Sequence, residues 1–475
     1  MNISGTGALS LLWQDPDARE EALRRIVQGV LSERPPPRID DHIVATYFFA
    51  LRSTTLDHLG KEIVYHSTSG TKDIPPGSLL ERCTGRCAGT VPFDDTNRLG
   101  LIHMAYPLAM LLQPDGHLTS TDILHTVCGA IAFDVHENQD SRLVRLEIPP
   151  AALRTFPGPA HGPEGVRKIT AFPAGEPAFG TILKPTAGIT PEDVERLVGE
   201  AALCPLFLFV KEDENLYPHL DYSPVSERVT RALEAIRRAR EARAGRGLLF
   251  APHITCAPHE MRDTIHEVTD RGASAVMFSE SFATGTVRLV REATRGMTVP
   301  PAIYGHNAGI GVRTRAIWRE VIDLLARLDG IDFRQTAPVK PGKPFLRPYG
   351  DEWEASEEVL SRKIDGMRPT MIARAGALDQ GNIGLNLADA ERRGIAEGVL
   401  FLSGSAINSI KNSSGKADPR VGAAAMMQAV SIHRSGRLRD VPMDEHLPAI
   451  ADLARKEGLA ELTAALRQRY PGQVA

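Results

Sequence analysis

Residues 207–215 read FLFVKEDEN, a stretch that joins a strand pattern directly to a run of charge. Phe207 to Val210 is the kind of continuous apolar run that forms a strand buried on both faces. Lys211 and three consecutive acids follow at once. Because a buried charge is costly unless it is paired, this cluster needs ion pairs or a ligand. The stretch therefore predicts a buried strand whose carboxyl end carries a polar site.

The same arrangement recurs along the second part of the chain, where short apolar runs alternate with amphipathic stretches and nearly every run ends in a polar residue. The eight runs are FGTILKP (179–185), LFLFVKEDE (206–214), LLFAPHIT (248–255), AVMFSE (275–280), PAIYGHN (301–307), IDFRQTA (331–337), MIARAG (371–376) and GVLFLSG (398–404). Such strand–helix repeats predict an α/β fold, a (β/α)8 barrel with its active site at the carboxyl ends of the strands. A doubly wound open sheet is the alternative, although no glycine-rich nucleotide fingerprint opens the first repeat.

The chain before these repeats has a different pattern. It contains the β-rich run IVATYFFAL (43–51), the helical spacing of LDHLGKEIVYH (56–66), and short strand patterns near 100–110 and 142–148. We expect a small α+β (ferredoxin-like) domain over residues 1–155. The Pro- and Gly-rich stretch FPGPAHGPEG (156–165) marks its boundary. A barrel catalytic domain is predicted over residues 165–440, followed by a C-terminal helical extension over 441–475.

The composition is that of an ordinary globular enzyme. The chain has 475 residues, 42% of them hydrophobic and 24% charged, and a formal net charge of −4. This balance shows neither the basic excess of a nucleic-acid binder nor a polybasic tail for a membrane surface. The sequence shows no apolar run of about 18 residues and no basic leader before its first apolar patch. Five scattered cysteines fit reduced thiols. We therefore expect a cytoplasmic protein without nucleic-acid or membrane partners.

The acids at the end of FLFVKEDEN suit a hard cation. Mg2+ usually takes one or two carboxylates and keeps waters or substrate oxygens as its other ligands. Lys211 and Asp213 share a face of the strand, whereas Glu214 can converge with them only if the strand ends there. An ammonium group would repel a cation. Lys211 is therefore either a structural counter-ion or a carbamate formed with CO2, and a salt-bridged strand end without metal is the alternative.

GTILKPTAGITPEDVERLVGEAAL (180–203) followed by FLFVKEDEN resembles the RuBisCO large-chain superfamily. The resemblance implies a two-domain protein that binds one Mg2+ per subunit through carbamylated Lys211, Asp213 and Glu214. It also implies that Lys184 handles the proton beside the substrate carbonyl.

Further implications of the resemblance concern the fifth strand, the sixth strand and the subunit arrangement. His306, which closes YGH, matches the fifth-strand histidine of the family. The mobile catalytic lysine after the sixth strand corresponds to Lys343 in VKPGKPF (339–345), with Lys340 as the other candidate. The loop STSGT (67–71) is similar to the family loop that reaches into the partner's site, which implies a homodimer or a multiple of dimers with shared active sites.

Departures from the family pattern argue against CO2 fixation. The carboxylating members have a second lysine where this chain has Thr186, and an arginine where it has Asn307. The sixth-strand histidine aligns with Gln335, and the seventh-strand serine aligns with Arg374. Carboxylation needs a bisphosphate held at both ends. With these changes, the chain resembles the RuBisCO-like (form IV) branch of the family, which does not fix carbon.

The resemblance also implies that this chain retains part of one phosphate-binding subsite of the family. Backbone amides and hydroxyls that could bind an oxyanion are those of Thr71, Gly376, Ser403 and Gly404. At the opposite end we expect Arg374 to bind a carboxylate or to replace the lost cationic groups, because a guanidinium suits bidentate pairing. The predicted substrate therefore has a phosphate at one end and a carboxylate or uncharged group at the other.

The retained residues predict Mg2+-dependent enolate or enediolate chemistry on a phosphorylated keto sugar acid. The preferred activity is a 3-oxo-isoapionate-4-phosphate decarboxylase or transcarboxylase/hydrolase, because Arg374 stands where a carboxylate could bind. A methylthioribulose-1-phosphate-type isomerase or a diketo-methylthiopentyl-phosphate enolase is the alternative. A catalytically silent binding protein is the third hypothesis, and the intact Lys184 and acid block argue against it.

Overall fold

The computed structural model describes residues 16–129, 132–279, 285–340 and 350–474. Their contacts divide the chain into two compact units. Unit 1 comprises Met1–Pro157 and Ile310–Asp329, and unit 2 comprises Gly158–Gly309 and Gly330–Ala475. The predicted mixed α/β fold is confirmed, whereas the predicted domain boundaries at 155, 165 and 440 stay predictions.

Unit 1 contains a four-stranded antiparallel sheet with strand order β2-β3-β1-β4. Its strands are β1 (His42–Leu51), β2 (Arg86–Pro92), β3 (Leu99–Pro107) and β4 (Asn138–Glu147). The sequence predicted β1, β3 and β4 but not β2. No residue of β2 is buried. An edge strand of this kind does not need the apolar alternation by which strands are recognised.

Helices cover this sheet. The helical segments of unit 1 are Pro16–Glu33, Leu56–Val64, Tyr65–Ser69, Leu79–Cys83, Leu108–Met110, Ser120–Cys128, Pro150–Leu153, Ile310–Arg313 and Arg319–Asp329. Leu23, Val27 and Leu31 are spaced four residues apart and therefore lie on one face of the first helix. They join Phe48 and Trp318 in one buried cluster.

Unit 2 contains an eight-stranded parallel sheet with order β10-β11-β12-β13-β14-β5-β6-β9. The strands are β5 (Ala178–Ile182), β6 (Phe207–Lys211), β9 (Leu249–Ala251), β10 (Ala275–Ser279), β11 (Ala302–His306), β12 (Phe333–Thr336), β13 (Met371–Ala375) and β14 (Val399–Ser403). Met277 joins the two outer strands, because its N–H donates to Pro252 O and its carbonyl accepts from Ile254 N, both at 2.8 Å. The sheet thus closes into the predicted barrel, and each of the eight predicted runs contains one strand. A short hairpin, β7 (His219–Leu220) and β8 (Ser223–Pro224), follows β6.

The helical segments of unit 2 surround this barrel and follow it. They are Gly162–Ile169, Pro191–Ala202, Val225–Arg238, Met261–Asp270, Thr286–Ala293, Asp351–Ser361, Ile383–Arg392, Ala396–Gly398, Ser405–Asn408, Pro419–Arg434, His446–Lys456 and Ala460–Arg469. Thr190, which precedes the helix that begins at Pro191, forms a reciprocal capping box with Asp193 in its first turn. That cap stops two N–H groups of the helix end from being left unpaired. No helix within the described ranges is both long and apolar enough to cross a membrane.

The barrel interior is filled by alternate residues of the strands. Phe209, Tyr304 and Phe333 belong to one buried cluster together with Ala373 and Leu402. The ring of Phe209 lies 5.4 Å from that of Tyr304 and 4.8 Å from that of Phe333, measured between centroids. Because side chains alternate along a strand, the residues two positions beyond these core residues also face the interior. That rule decides which polar residues reach the carboxyl end of the barrel.

Candidate active site

Lys184 and Asp213 meet where β5 and β6 end. Ile182, the last residue of β5, lies opposite Lys211, the last residue of β6. Lys184 Nζ forms an ion pair with Asp213 and donates to Thr186 Oγ1 at 3.3 Å. The Lys184 side chain is 41% exposed, whereas that of Asp213 is 3% exposed. Burial raises the pKa of Asp213, but hydrogen bonding and charge from Lys184 outweigh it, so the net pKa is lowered.

Lys211 is fully buried beside these groups. Its Nζ donates to Glu212 O at 3.0 Å and lies 3.9 Å from Glu214 Oε2. The same nitrogen is 5.7 Å from the centre of the Tyr304 ring. Burial lowers the pKa of Lys211 to about 8, against the opposing attraction of Glu214 and Asp213. A neutral amine is the form that reacts with CO2, so this environment favours carbamate formation.

Glu214 turns back toward the barrel because β6 has already ended at Lys211. Its Oε2 lies 3.2 Å from His306 Nε2. His306 Nδ1 accepts a hydrogen bond from Ala308 N at 3.0 Å, so Nε2 carries the hydrogen and donates to Glu214. Burial and then the Lys211 charge hold the pKa of His306 well below its ordinary value. The imidazole is therefore a neutral donor that orients Glu214.

Glu212, which the alternation of the strand turns to the other side, belongs to a structural ion pair. Its carboxylate accepts from Arg228 Nε at 2.7 Å, and both side chains are fully buried. Its Oε2 also accepts from His253 N at 2.8 Å. His253 Nδ1 donates to Leu216 O at 3.1 Å, and no described group bonds to its buried Nε2. Only two of the three consecutive acids are thus available for chemistry.

The groups at this strand end fit a hard divalent cation. Lys211, Asp213 and Glu214 bring one amine and two carboxylates together, and each carboxylate acts on the charge of the lysine. As an ammonium, Lys211 would repel a cation, but as a carbamate it would add anionic oxygens to the carboxylates. Oxygen-rich sets with one or two protein carboxylates are typical of Mg2+.

Neutral polar groups form a chain beside this cluster. Tyr304 Oη donates to Gln335 Oε1 at 2.7 Å, and Gln335 Nε2 donates to Asn307 Oδ1 at 2.7 Å. Tyr304 was not among the predicted site residues. It could have been found, because it shares the interior face of β11 with His306. These hydrogen-bonded side chains are uncharged. Asn307 and Gln335 stand at the positions where the family resemblance implies an arginine and a histidine.

Arg374 does not lie among these residues, and the prediction that it binds a substrate carboxylate is corrected. Its side chain is fully buried, and its Nη2 lies 2.8 Å from Glu357 Oε2. It also pairs with Asp389 and donates to Asn386 O at 3.2 Å. The physical reason is strand alternation: Ala373 and Ala375 face the barrel core, so Arg374 between them faces the surrounding helices.

The predicted oxyanion-binding residues of unit 2 lie at the ends of neighbouring strands. Gly376 follows β13 and has a φ of +93°, and its carbonyl accepts from Lys340 Nζ at 3.2 Å. Ser403 ends β14, where its Oγ donates to Leu378 O at 3.1 Å. Gly404 follows and begins the short helix Ser405–Asn408. Backbone groups and one lysine amine thus gather at this edge of the barrel.

Two predicted residues are placed elsewhere. Thr71 belongs to unit 1, where its Oγ1 accepts from Asp73 N at 3.2 Å. Its predicted contact with a partner subunit's substrate stays a prediction. Lys343, the predicted loop lysine, lies outside the described residues, whereas the alternative, Lys340, is buried at the end of its segment.

Comparison with known sequences places these features in a family. Residues 167–350 match the family model "Ribulose bisphosphate carboxylase large chain, catalytic domain". A ribulose bisphosphate carboxylase of Archaeoglobus fulgidus is 26% identical over 371 residues, covering 73% of this chain and 81% of the relative. A 3-oxo-isoapionate-4-phosphate transcarboxylase/hydrolase of Xanthobacter autotrophicus is 33% identical over 219 residues, and the match spans 44% of this chain and only 50% of that relative. A 3-oxo-isoapionate-4-phosphate decarboxylase of Rhizobium etli is 27% identical over 362 residues, covering 75% of this chain and 82% of the relative.

Solved structures show the same fold. The octameric ribulose-1,5-bisphosphate carboxylase/oxygenase of Pyrococcus horikoshii superposes with a TM-score of 0.74 at 22% identity, covering 91% of this chain and 96% of that one. A rubisco-like protein (MtnW) of Alicyclobacillus acidocaldarius gives a TM-score of 0.71 at 23% identity, covering 90% and 99%. At these identities the structural likeness establishes the fold alone.

Proposed function

We propose that this chain, a member of the RuBisCO large-chain superfamily, is a RuBisCO-like enzyme that performs Mg2+-dependent enolate chemistry without fixing CO2. The observation that carries this proposal is the meeting of buried Lys211 with Asp213 and Glu214, next to the exposed amine of Lys184. A silent binding protein would not need to keep a fully buried lysine beside two acids, because burying such charges costs more than the pairing returns unless its geometry is excellent.

Lys211, as a carbamate, Asp213 and Glu214 would hold one Mg2+ per subunit. A bound divalent cation supplies stabilisation of the negative charge that develops on an enolate oxygen. His306 keeps Glu214 oriented through its Nε2 hydrogen bond. The burial of Lys211 keeps bulk water from the amine that must remain modified.

Lys184 is the group we assign to proton transfer. It lies at the open side of the cluster and contacts Asp213 and Thr186. If Asp213 served as a metal ligand, the amine of Lys184 would be released from its ion pair and could exchange a proton with a carbon acid. A positioned general base or acid of this kind typically contributes about 10²–10⁴-fold to the rate.

The substrate that fits best is a phosphorylated keto sugar acid. The phosphate would lie against Gly376, Ser403 and Gly404, with Lys340 beside Gly376. We propose the 3-oxo-isoapionate-4-phosphate reaction, as a decarboxylase or transcarboxylase/hydrolase. The support for this choice is now the likeness to the two relatives that bear those names, because Arg374 is engaged with Glu357 and Asp389.

A second candidate is favoured by the uncharged chain of Tyr304, Gln335 and Asn307. A neutral substrate end suits this chain better than a second anion does. A methylthioribulose-1-phosphate-type isomerase or a diketo-methylthiopentyl-phosphate enolase would present such an end. Both candidates use the same enolate-forming residues and differ only in what occupies the neutral subsite.

A homodimer, or a multiple of dimers, completes the proposal. The loop STSGT (67–71), which contains Thr71, would then enter a partner subunit's active site, as the family resemblance implies. We place the enzyme in the cytoplasm, in keeping with its scattered free cysteines.

Proton exchange in D2O tests the function directly. The purified protein is incubated with Mg2+, bicarbonate and either 3-oxo-isoapionate 4-phosphate or a methylthio-sugar phosphate. We expect deuterium uptake or CO2 release with one substrate class, dependent on Mg2+ and absent in Lys211→Ala. Silence with both classes, combined with no bicarbonate-dependent Mg2+ binding, would contradict an enzymatic role.

A further inference from the structure

A second group of metal-binding side chains lies outside the site described above. His219 is in β7, Cys256 follows β9, and Glu260 directly precedes the helix Met261–Asp270. Their ligand atoms all lie within 4.8 Å of one another. Imidazole, thiolate and carboxylate together suit Zn2+ or a similar transition metal rather than Mg2+. We propose that these three residues bind one such cation, independently of the carbamate site.

The contacts of Thr264 show how close the ligand atoms already are. Its hydroxyl donates to Glu260 O at 3.0 Å, which uses its only hydrogen. The same oxygen lies 3.2 Å from His219 Nε2 and 3.5 Å from Cys256 Sγ. Since this oxygen can only accept there, the imidazole N–H and the thiol S–H both point at it. Two ligand atoms from separate segments therefore lie around one hydroxyl oxygen, and a cation held by them would sit beside that oxygen.

Cation binding between the ligand atoms of His219, Cys256 and Glu260 is balanced in protons and charge. The S–H bond of Cys256 breaks and its proton goes to solvent, and the sulfur electron pair forms the bond to the metal. His219 stays neutral, with its hydrogen moved to Nδ1 so that Nε2 can bind the metal. One thiolate and the carboxylate of Glu260 then neutralise a divalent cation. A water molecule would complete the tetrahedral arrangement that Zn2+ prefers.

The local backbone holds two of the ligands in place. Glu260 N donates to Ala257 O at 3.0 Å, which closes a turn between Cys256 and the helix. The Glu260 carboxylate accepts from Ala257 N at 3.3 Å. His219 is exposed, whereas Cys256 and Glu260 are half-buried. A cation therefore has an open path from solvent and needs only side-chain adjustment.

The proposed site would link two loops at the carboxyl end of the barrel. His219 lies in the segment that follows Lys211–Glu214, and Cys256 lies three residues after His253. The rings of Tyr217 and His253 already bring these segments together, with 6.0 Å between their centroids. A bound cation would add a covalent cross-link between the loops. Its binding to the folded state therefore raises stability, increasingly so as the free cation concentration exceeds the Kd.

Co2+ is the probe that tests the proposal, because a cysteine thiolate gives Co2+ a near-ultraviolet charge-transfer band that oxygen ligands do not give. Full-length protein freed of metal is titrated with Co2+ alone. We expect one equivalent to produce this band, with Zn2+ abolishing it and excess Mg2+ leaving it unchanged. The Lys211→Ala variant should give the same band, which separates this site from the proposed catalytic one.

Variants identify the ligands. Cys256→Ser should lose the band, and His219→Gln and Glu260→Gln should bind Co2+ at least about tenfold more weakly. Cys204→Ser, which removes another half-buried thiol of unit 2, should match the wild type. Zn2+ should raise the Tm of wild type and Cys204→Ser but not of Cys256→Ser. Absence of the band in folded wild-type protein, or its persistence in Cys256→Ser, would overturn the proposal.

Discussion

Lys184 and Asp213 form an ion pair across the ends of β5 and β6, so the proposed proton-transfer group is held by a proposed metal ligand. A cation at Asp213 must compete with the Lys184 ammonium for the same carboxylate. Metal binding and the release of Lys184 are therefore expected to be coupled. This coupling makes Lys184 a sensitive residue for testing the site, because its removal should affect binding and turnover in opposite directions.

Replacing Lys184 by Met should strengthen Mg2+ binding while abolishing turnover. The partly exposed pair contributes about 1 kcal/mol at most, so the Kd for Mg2+ should fall up to roughly fivefold. Turnover should fall by at least about 100-fold, because the general acid–base group is lost. Calorimetric titration with Mg2+ in the presence of bicarbonate measures the first effect, and the D2O exchange assay measures the second. Weaker Mg2+ binding in Lys184→Met would show that Lys184 does not compete with the cation.

Replacing Lys211 by Ala or Met should remove the effect of CO2 on Mg2+ binding and leave the fold intact. The amine is buried, and its ion pairs with two acids are long or indirect, so its loss does not unfold the barrel. ¹³C NMR after CO2 trapping should show one carbamate per wild-type chain and none in either variant. The exposed Lys168, changed to Ala, serves as the lysine control. An unchanged carbamate signal in Lys211→Met would exclude this residue as the site of modification.

Much of the fold could be predicted because barrel strands are buried on both faces. Such strands are continuous apolar runs, and all eight runs were visible in the sequence. The edge strand β2 was missed, since its residues are half-covered and show no clear alternation. The assignment of Arg319–Asp329 to unit 1 was also invisible, because an amphipathic pattern does not show which partner covers the helix.

The site residues that are close together in the sequence were predictable. The residues whose position depends on the alternation of side chains along a strand were harder to predict. Lys211, Asp213 and Glu214 are close in sequence, so their proximity followed from the strand end. The prediction that Arg374 binds a substrate carboxylate was wrong because β13 turns this side chain outward. The alanines on either side of it face the interior, and this alternation was already visible in the sequence. Its partner Glu357 lies 17 residues away on a helix, a pairing that no local pattern reveals.

Arg374 should matter for stability rather than for substrate binding. Arg374→Met removes one of the arginine partners of the buried Glu357 carboxylate, which Arg393 also contacts. Because Arg393 keeps Glu357 paired, the loss should be at or below the roughly 3 kcal/mol that removing one partner of a buried ion pair costs. Urea unfolding should detect this loss, and KM should stay within about twofold of wild type. Arg392→Met is the matched control, because Arg392 pairs with Asp389 at a side-chain exposure of 68% and should cost at most about 1 kcal/mol. A large KM increase without destabilisation would restore the carboxylate-binding role.

His103 should make unit 1 sensitive to acid. The imidazole is buried and its Nδ1 lies 2.9 Å from Thr46 Oγ1, and burial lowers its pKa from 6.5 to about 4. Between these values the unfolded chain binds a proton that the folded state does not. Stability should therefore fall as pH decreases from 6.5 toward 4, by roughly 3 kcal/mol in all. Urea unfolding followed across this range should show a shallower pH dependence in His103→Gln. The exposed His136, changed to Gln, should leave the wild-type slope unaltered.

The neutral chain of Tyr304, Gln335 and Asn307 should set the preference between singly and doubly phosphorylated ligands. Wild-type protein has uncharged groups there, so a second phosphate would lose its hydration without gaining a cation. Asn307→Arg supplies that cation, and a hydrogen bond to a charged group contributes about 1.5–3 kcal/mol. Binding of a sugar bisphosphate, measured against the matching monophosphate, should therefore improve by at least about tenfold. Asn307→Gln, which lengthens the side chain without adding charge, should leave the ratio unchanged. An unchanged ratio in Asn307→Arg would mean that the second phosphate does not reach this chain, and the neutral subsite would have to be placed elsewhere in the barrel.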